Sequence, residues 1–506
     1  MTDSQTKIIT KLLERRQIEA DLRALLEVTS EAEFRRKATR IAALGSPILR
    51  VIVANLDRAS AEEVAAMGAV ASLLDREEAV AALREAVMGR QLADRGRVAA
   101  ISILERFLGW SADDDLLDSV RDPQGLALAS LENILDQIDA NRALLADYVE
   151  GLDRQEPDVV LAVVAALQEM GTAGDATRVV EPLRMMALDV RGEIAAAALD
   201  ALGAIRRPEA VRALQTLIPT VPPTLQPVAR RLLRKLRFRG VEVEPLPAPA
   251  PGWRALVSPP DALGQQTVWF ILADRATTQA NFLNVLLHDR GGAVEAAGHT
   301  GVPAQLLVPE RSPGYVHDVV FPDGSGSMLL LEAPFDLGRR LVLDALPANR
   351  ETQIPLAGVL RLYGPWLWAV AGADALPMLH LPEPAAGDTG GLLAHPALTG
   401  WTLRSPAVLG VAAEAMRHSG WDLDVWVGRL VGEIFSDPAV ALALAERLAK
   451  MSSWLLLAGD ERQAGLARAA AKGLQASPED EAFVRALVRR DLEIALQGLS
   501  SRPEFQ

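Results

Sequence analysis

The chain has 506 residues, half of them apolar, with a formal net charge of −14 and a pI near 5.1. That length exceeds one ordinary core, so two to four domains are expected. The acidic balance argues against a surface built globally for nucleic acid or anionic membrane, but not against a local basic patch. Cysteine is absent, which excludes disulfides, thiolate metal sites and a cysteine nucleophile.

The first residues, Met1 to Leu26, spread their charges evenly and contain no apolar core of signal-peptide length, so a cytoplasmic protein is expected. Arginine greatly outnumbers lysine, and with the alanine richness this usage suits a high-GC bacterial genome. From Thr2 to about Gly240 nearly every segment has helical periodicity. Ser30 followed by Glu31 and Glu33, and Ser60 followed by Glu62 and Glu63, predict two helix starts. Gly45, Gly109 and Gly171 are read as helix stops. Val98, Ala99, Ile101, Ile103, Leu104, Phe107 and Leu108 form a stripe predicted to be buried.

The clearest pattern lies between Asp189 and Gly240. Ile194, Ala197, Ala198, Ala201, Leu202 and Ile205 recur at helical spacing; Arg206, Arg207 and Pro208 interrupt; then Ala210, Val211, Leu214, Leu217 and Ile218 resume the period. Proline at 208 suits a first helical turn. Upstream, Asp158-Val159-Val160 leading to Ala166–Met170 parallels Glu193-Ile194-Ala195 leading to Ala201–Ile205 at a constant offset of 35 residues, and Glu77–Leu83 repeats the composition of Pro208–Leu214. Two short amphipathic helices cannot bury their apolar faces alone and need stacked copies of themselves. The stretch ALDALGAIRRPEAVRAL resembles the HEAT-like repeats first named from phycobilisome lyases. The likeness is clear over about 150–240, weaker over about 30–150 and absent further on. It implies a curved α-solenoid over residues 1–240 and no particular chemistry, because such arrays serve as scaffolds, adaptors, a few lyases and a class of DNA-repair glycosylases.

Val241–Asp261 reads VEVEPLPAPAPGWRALVSPPD, and its proline spacing predicts an extended linker over 241–260. Eight of the nine tryptophans follow it, with only Trp110 before, so the two halves build different cores. Residues 261–385 are read as a small α+β module. Thr267–Leu272, Phe282–Leu287, Ala293–Ala297, Tyr315–Phe321 and Ser327–Leu331 predict an antiparallel sheet of four or five strands, with Pro322–Gly326 as a hairpin loop and a helix at Asp336–Leu346. The apolar stretch Ile354–Leu379 is interrupted by Arg361, Pro365 and Asp374, so it reads as core rather than a membrane span. Residues 386–506 return to helices, at Ser405–Arg417, Leu423–Phe435, Pro438–Leu457 and Arg462–Leu474, with a last helix opened by Ser477-Pro478-Glu479-Asp480. The fold class is mainly α.

Several constellations could carry function. Arg230, Arg231, Arg234, Lys235, Arg237 and Arg239 put six cations in ten residues, with Arg230, Arg234 and Arg237 aligned on one side of a helix. That spacing suits phosphates or an acidic partner, and equally suits cations capping the end of an array. His288-Asp289 and His317-Asp318 invite a metal, but neighbours on a strand point to opposite faces, so only His288 and His317 meeting across adjacent strands, with His299 near, would serve. Gly324–Ser327 lacks the lysine of a phosphate-binding loop and reads as turn chemistry. Trp366 and Trp368 with Tyr363 form an aromatic cluster, and Trp366 and Trp368 would share one face of a strand, as core or as a cleft lining.

The function expected is non-catalytic: a scaffold or adaptor binding another protein on the concave solenoid surface, through second helices carrying Arg212 and Gln215 and through Arg230, Arg234 and Arg237. Nucleic-acid binding by the basic helix, with base repair as its enzymatic form, and an enzyme site in the α+β module are the alternatives. No cofactor or metal is expected.

Overall fold

The computed structural model describes residues 17–26, 28, 30–89, 92–110, 131–132, 134–139, 141–273, 278–321, 324, 326–373, 376–377, 380–417 and 422–500. The fold is mainly helical, with one six-stranded antiparallel sheet. Two compact units divide the chain, one over 1–136 and one over 137–506.

The first unit contains α1 (Glu31–Ala42), α2 (Pro47–Asn55), α3 (Ala61–Ala71), α4 (Arg76–Met88) and α5 (Asp94–Arg106). Alternate helices pack on one another, α1 on α3, α3 on α5 and α2 on α4, so the helix pairs stack as two layers. Ser60 makes the expected capping box: its hydroxyl accepts from the Glu63 N–H at 3.1 Å, and its own N–H donates to the Glu63 carboxylate at 2.8 Å. Ser30 stands at the start of α1 without such a bond. Of the predicted stripe, Ala99, Ile101, Ile103, Leu104 and Leu108 are buried, while Val98 is exposed.

The second unit begins with the same alternation. One layer is α7 (Pro157–Ala173), α9 (Gly192–Ala204) and α11 (Gln226–Phe238); the other is α6 (Leu144–Asp153), α8 (Ala176–Met186) and α10 (Pro208–Leu217), opened by its proline. Side chains tie successive pairs in both units. Arg95 donates to the Ala59 carbonyl at 3.0 Å, and Arg191 donates to the Gln155 carbonyl at 2.8 Å, each across 36 residues. Gly171 is not a helix stop. It lies inside α7, where an added Cβ would meet Ile205 at 2.5 Å, and the helix ends instead at Gly174, with φ +133°.

The sheet follows in the order β4-β3-β2-β1-β6-β5, from β1 (Trp253–Val257), β2 (Gln265–Ala273), β3 (Gln279–His288), β4 (Gly292–Pro303), β5 (Val316–Val320) and β6 (Ser327–Pro334). All five expected strands form. The sixth, β1, lies in the segment read as linker and is central, pairing Leu256 with both Trp269 and Glu332. Flanking prolines concealed it, yet Arg254-Ala255-Leu256-Val257 are all buried. Of the hairpin loop, Pro322, Asp323 and Ser325 lie outside the described residues.

One face of the sheet carries the main core. Ala255, Phe270, Leu283 and Leu331 are buried there, and α12 (Phe335–Thr352) lies across it, with Phe335 edge-on to Trp253 and Phe270. Helices α15 (Pro406–Ala415), α16 (Leu423–Ile434), α17 (Pro438–Leu457), α18 (Glu461–Ala476) and α19 (Ala482–Ser500) contribute to the same core. Indole hydrogen bonds fix them: Trp454 donates to the Val257 carbonyl at 2.9 Å and Trp401 to the Pro260 carbonyl at 3.1 Å. The opposite face buries an Arg254–Glu332–His317 cluster, with N···O distances of 2.7 Å and 2.9 Å to the central carboxylate.

A short helix, α13 (Gly358–Tyr363), joins the stacked helices to the sheet. Its Arg361 is fully buried and holds both Asp153 carboxylate oxygens at 3.0 Å. Gly358 donates to Glu150 at 2.6 Å, and a Cβ there would press 2.6 Å from the Ala146 carbonyl, so the close approach requires glycine. Trp366 and Trp368 are not on a strand. They belong to α14 (Pro365–Trp368), because Gly364-Pro365 turns the chain into a helix start. Trp366, half-buried against the core, stacks on Tyr363 at 4.2 Å, and Trp368 is buried under the Arg339 guanidinium.

Removing the Arg361 side chain strands a buried carboxylate, and loss of one partner of such a pair costs about 3 kcal/mol. Burial already pushes the Asp153 carboxyl up against the pull of Arg361. Arg361→Ala should therefore lower the unfolding midpoint followed by tryptophan fluorescence, which reports the second unit because eight of nine tryptophans lie there. A carboxyl raised in the folded state makes stability fall as pH rises. The deficit of Arg361→Ala should accordingly shrink as pH falls and Asp153 takes up its proton.

Candidate functional site

Helix α11 closes the first layer of the second unit. Ala229, Leu232 and Leu236 are buried, and Leu232 fills the space left by Gly203, where a Cβ would come within 2.5 Å. This contact fixes which side of the helix faces out. Arg230, Arg231, Arg234, Lys235 and Arg237, with Arg239 just past the helix end, are all exposed. Among the described residues none of these six side chains has an ion pair or hydrogen bond, and Phe238 beside them is 90 % exposed. Arg206 and Arg207, in the turn between α9 and α10, are likewise exposed and without a partner among the described residues.

These six cations lie within ten residues of a chain whose net charge is −14. Several arginines elsewhere in the unit are engaged: Arg178 with Asp139 and Asp175, Arg191 with Asp189, Arg447 with Asp289. Cations do favour a helix C-terminus, but Arg230 and Arg231 stand in its first half, where the dipole gives them nothing. Their local electrostatics is therefore repulsive and available to an anion.

Arg212 and Gln215 have a different fate. Both lie on α10, in the second layer, but they are turned to the 241–250 segment of their own chain: Gln215 donates to the Glu244 carbonyl at 2.8 Å, and Arg212 lies 3.5 Å from the Glu244 carboxylate. The face they were expected to offer to a partner is also approached by α13 and α14, which pack on α6, α8 and α10. Between this layer and Pro365 an open cleft of about 430 Å³ remains, with Arg142, Glu181, Arg184 and Arg212 in its wall. Burial pushes the Glu181 carboxyl up, but Arg184 and Arg142 outweigh it and hold the group below the usual carboxylate range. The structure thus separates the five expected contact residues, leaving Arg230, Arg234 and Arg237 open and Arg212 and Gln215 engaged.

The histidines do not converge. His288 ends β3 and His317 lies on β5, with three strands between them, and His299 lies on β4 opposite Phe282. His317 is buried against Glu332. Among the described residues no group of three or more His, Asp or Glu side chains could hold a metal ion. No helix among them is long and apolar enough to cross a membrane. Sequence reasoning missed Arg361 and Asp153, whose pairing across 208 residues has no local signature.

The comparisons with known proteins add nothing to this geometry: no family model, curated protein or solved structure matches the chain.

Because the exposed cations of α11 repel one another, exchanging one for an acid relieves strain. Arg230→Glu places a carboxylate four residues before Arg234, a pairing worth about 0.3–0.5 kcal/mol on a helix. The melting temperature of this variant should equal or slightly exceed that of the parent in low salt, and the difference should vanish at high salt.

Proposed function

We propose that this protein is a non-catalytic, cytoplasmic adaptor with HEAT-like helical repeats, and that it binds an acidic protein segment on α11. One observation carries the reading: six neighbouring cations lie exposed, and among the described residues no acid neutralises them. Unpaired charge of one sign on a rigid helix speeds and selects an oppositely charged partner. The stacked helix pairs, with repeated Arg-to-carbonyl ties across 36 residues, support the repeat assignment. The working surface moves from the second layer, where Arg212 and Gln215 serve their own chain, to the end of the first.

A second reading rests on Phe238. An exposed ring flanked by Arg237 and Arg239 is the arrangement on which a nucleic-acid base stacks between phosphate contacts.

Both readings meet one experiment. Fluorescence anisotropy of a labelled glutamate-rich 20-mer peptide and of a labelled thymidine 20-mer, each titrated with the parent and with R230E/R234E/R237E, separates them. The adaptor reading predicts tighter binding of the peptide, weakened at least about tenfold by the triple variant and by raising salt. Preference for the oligonucleotide hands the helix to nucleic acid. Binding of neither probe, or binding untouched by the triple variant, overturns both.

A further inference from the structure

A separate site lies in the second unit, between the core face of the sheet, α12 and α17. It is a cleft of about 110 Å³. Its inner wall is apolar, formed by Val257, Leu331, Leu337, Leu341, Trp454 and Leu457, while its polar groups, chiefly His288, Asp289, Arg447 and Lys450, come from the end of β3, the turn after it and α17. An apolar interior with a few converging polar groups is the form of a small-molecule site.

Asp289 is held by its backbone N–H, which donates to the Gly264 carbonyl at 2.9 Å, and by Arg447, whose Nε donates to Oδ2 at 2.6 Å while Nη1 reaches the Ala262 carbonyl. Gly264 makes room for this carboxylate: it has φ +88°, and a Cβ there would lie 2.3 Å from it. The other oxygen, Oδ1, is buried and accepts no hydrogen bond. Nδ1 of His288, 3.6 Å from it, cannot supply one. That nitrogen already accepts from the Arg290 and Gly291 N–H groups, so it carries no proton. A buried acceptor left in this state calls for a donor from outside the chain.

Lys450 supplies the complement. It is exposed and has no partner among the described residues. It is one of only six lysines in the chain. Arg447 neutralises Asp289, and Asp344 on the opposite helix is taken by Arg340 at 2.8 Å, so the lysine leaves the cleft with one uncompensated positive charge.

We infer that the cleft binds a small amphipathic carboxylate with a hydrogen-bond donor on its α-carbon, an α-amino or α-hydroxy acid with a branched apolar chain. The carboxylate pairs with Lys450, the α-substituent donates to Oδ1 of Asp289, and the chain lies against Leu337, Leu341 and Leu331. The size agrees: an apolar cavity of about 150 Å³ admits benzene, so this one takes a chain of about four carbons.

Isothermal titration calorimetry on the full chain tests the assignment with four probes: L-leucine, 2-hydroxyisocaproate, isocaproate, which lacks the α-donor, and isoamyl alcohol, which lacks the carboxylate. Leucine or the hydroxy acid should bind at least about tenfold more tightly than isocaproate, because loss of the donor leaves Oδ1 unsatisfied. The alcohol should bind weakest. Lys450→Ala, at an exposed position that does not endanger folding, should weaken the preferred acid about tenfold, and Leu341→Trp should fill the cleft and abolish its heat. Equal affinity for all four probes, no heat from any of them, or affinity unchanged in Lys450→Ala would overturn the proposal.

Discussion

The second unit depends on one buried ion pair. Arg361 and Asp153 lie 208 residues apart, and their forked contact joins α13 to α6 with Arg361 fully buried and the Asp153 side chain nearly so. Desolvating two charges is costly, and only good geometry with further hydrogen bonds offsets the cost. Here Arg184 donates to the Arg361 carbonyl and Glu150 accepts from Gly358, so the backbone around the pair is also satisfied. The glycine allows the helices to touch, and Tyr363 on the far side of α13 packs over Gly298 of β4. Stacked helices and sheet are thereby one compact body, and the face of the second layer is engaged by the chain itself.

The surface chemistry follows from that arrangement. With the second layer approached by α13, α14 and the 241–250 segment, α11 keeps its outer side open. The chain has 66 acidic residues, and among the described ones none pairs with these cations. Charge left unpaired on a rigid helix costs a little stability and gains a directional electrostatic attraction, which is why α11 and not Arg212 or Gln215 carries the proposed contact.

What the sequence revealed was the part governed by local periodicity. The helix pairs from Pro157 to Leu217, the five strands from β2 to β6 and the helices after Pro406 all show their apolar faces within a few residues. Ser60 and Glu63 announced their cap for the same reason. β1 escaped because its pairing partners, β2 and β6, decide its place, and the prolines before and after it argue locally for a linker. Trp366 and Trp368 misled because a run of four residues is too short to tell a period of two from one of 3.6. Of the contact residues, the charge pattern of α11 was legible, whereas the engagement of Arg212 and Gln215 by Glu244 depends on the path of a later segment and leaves no mark in their own helix.

The central claim is that α11, and not the second layer, meets the partner. The most direct measurement replaces Phe238 with a photo-crosslinking amino acid and, in a separate chain, replaces Gln215, then compares the products formed in the native host with and without nuclease. The account predicts a salt-sensitive, nuclease-resistant protein adduct from position 238 and none from position 215. An adduct from 215 alone, or no adduct at 238 under conditions where the chain is folded, would contradict it.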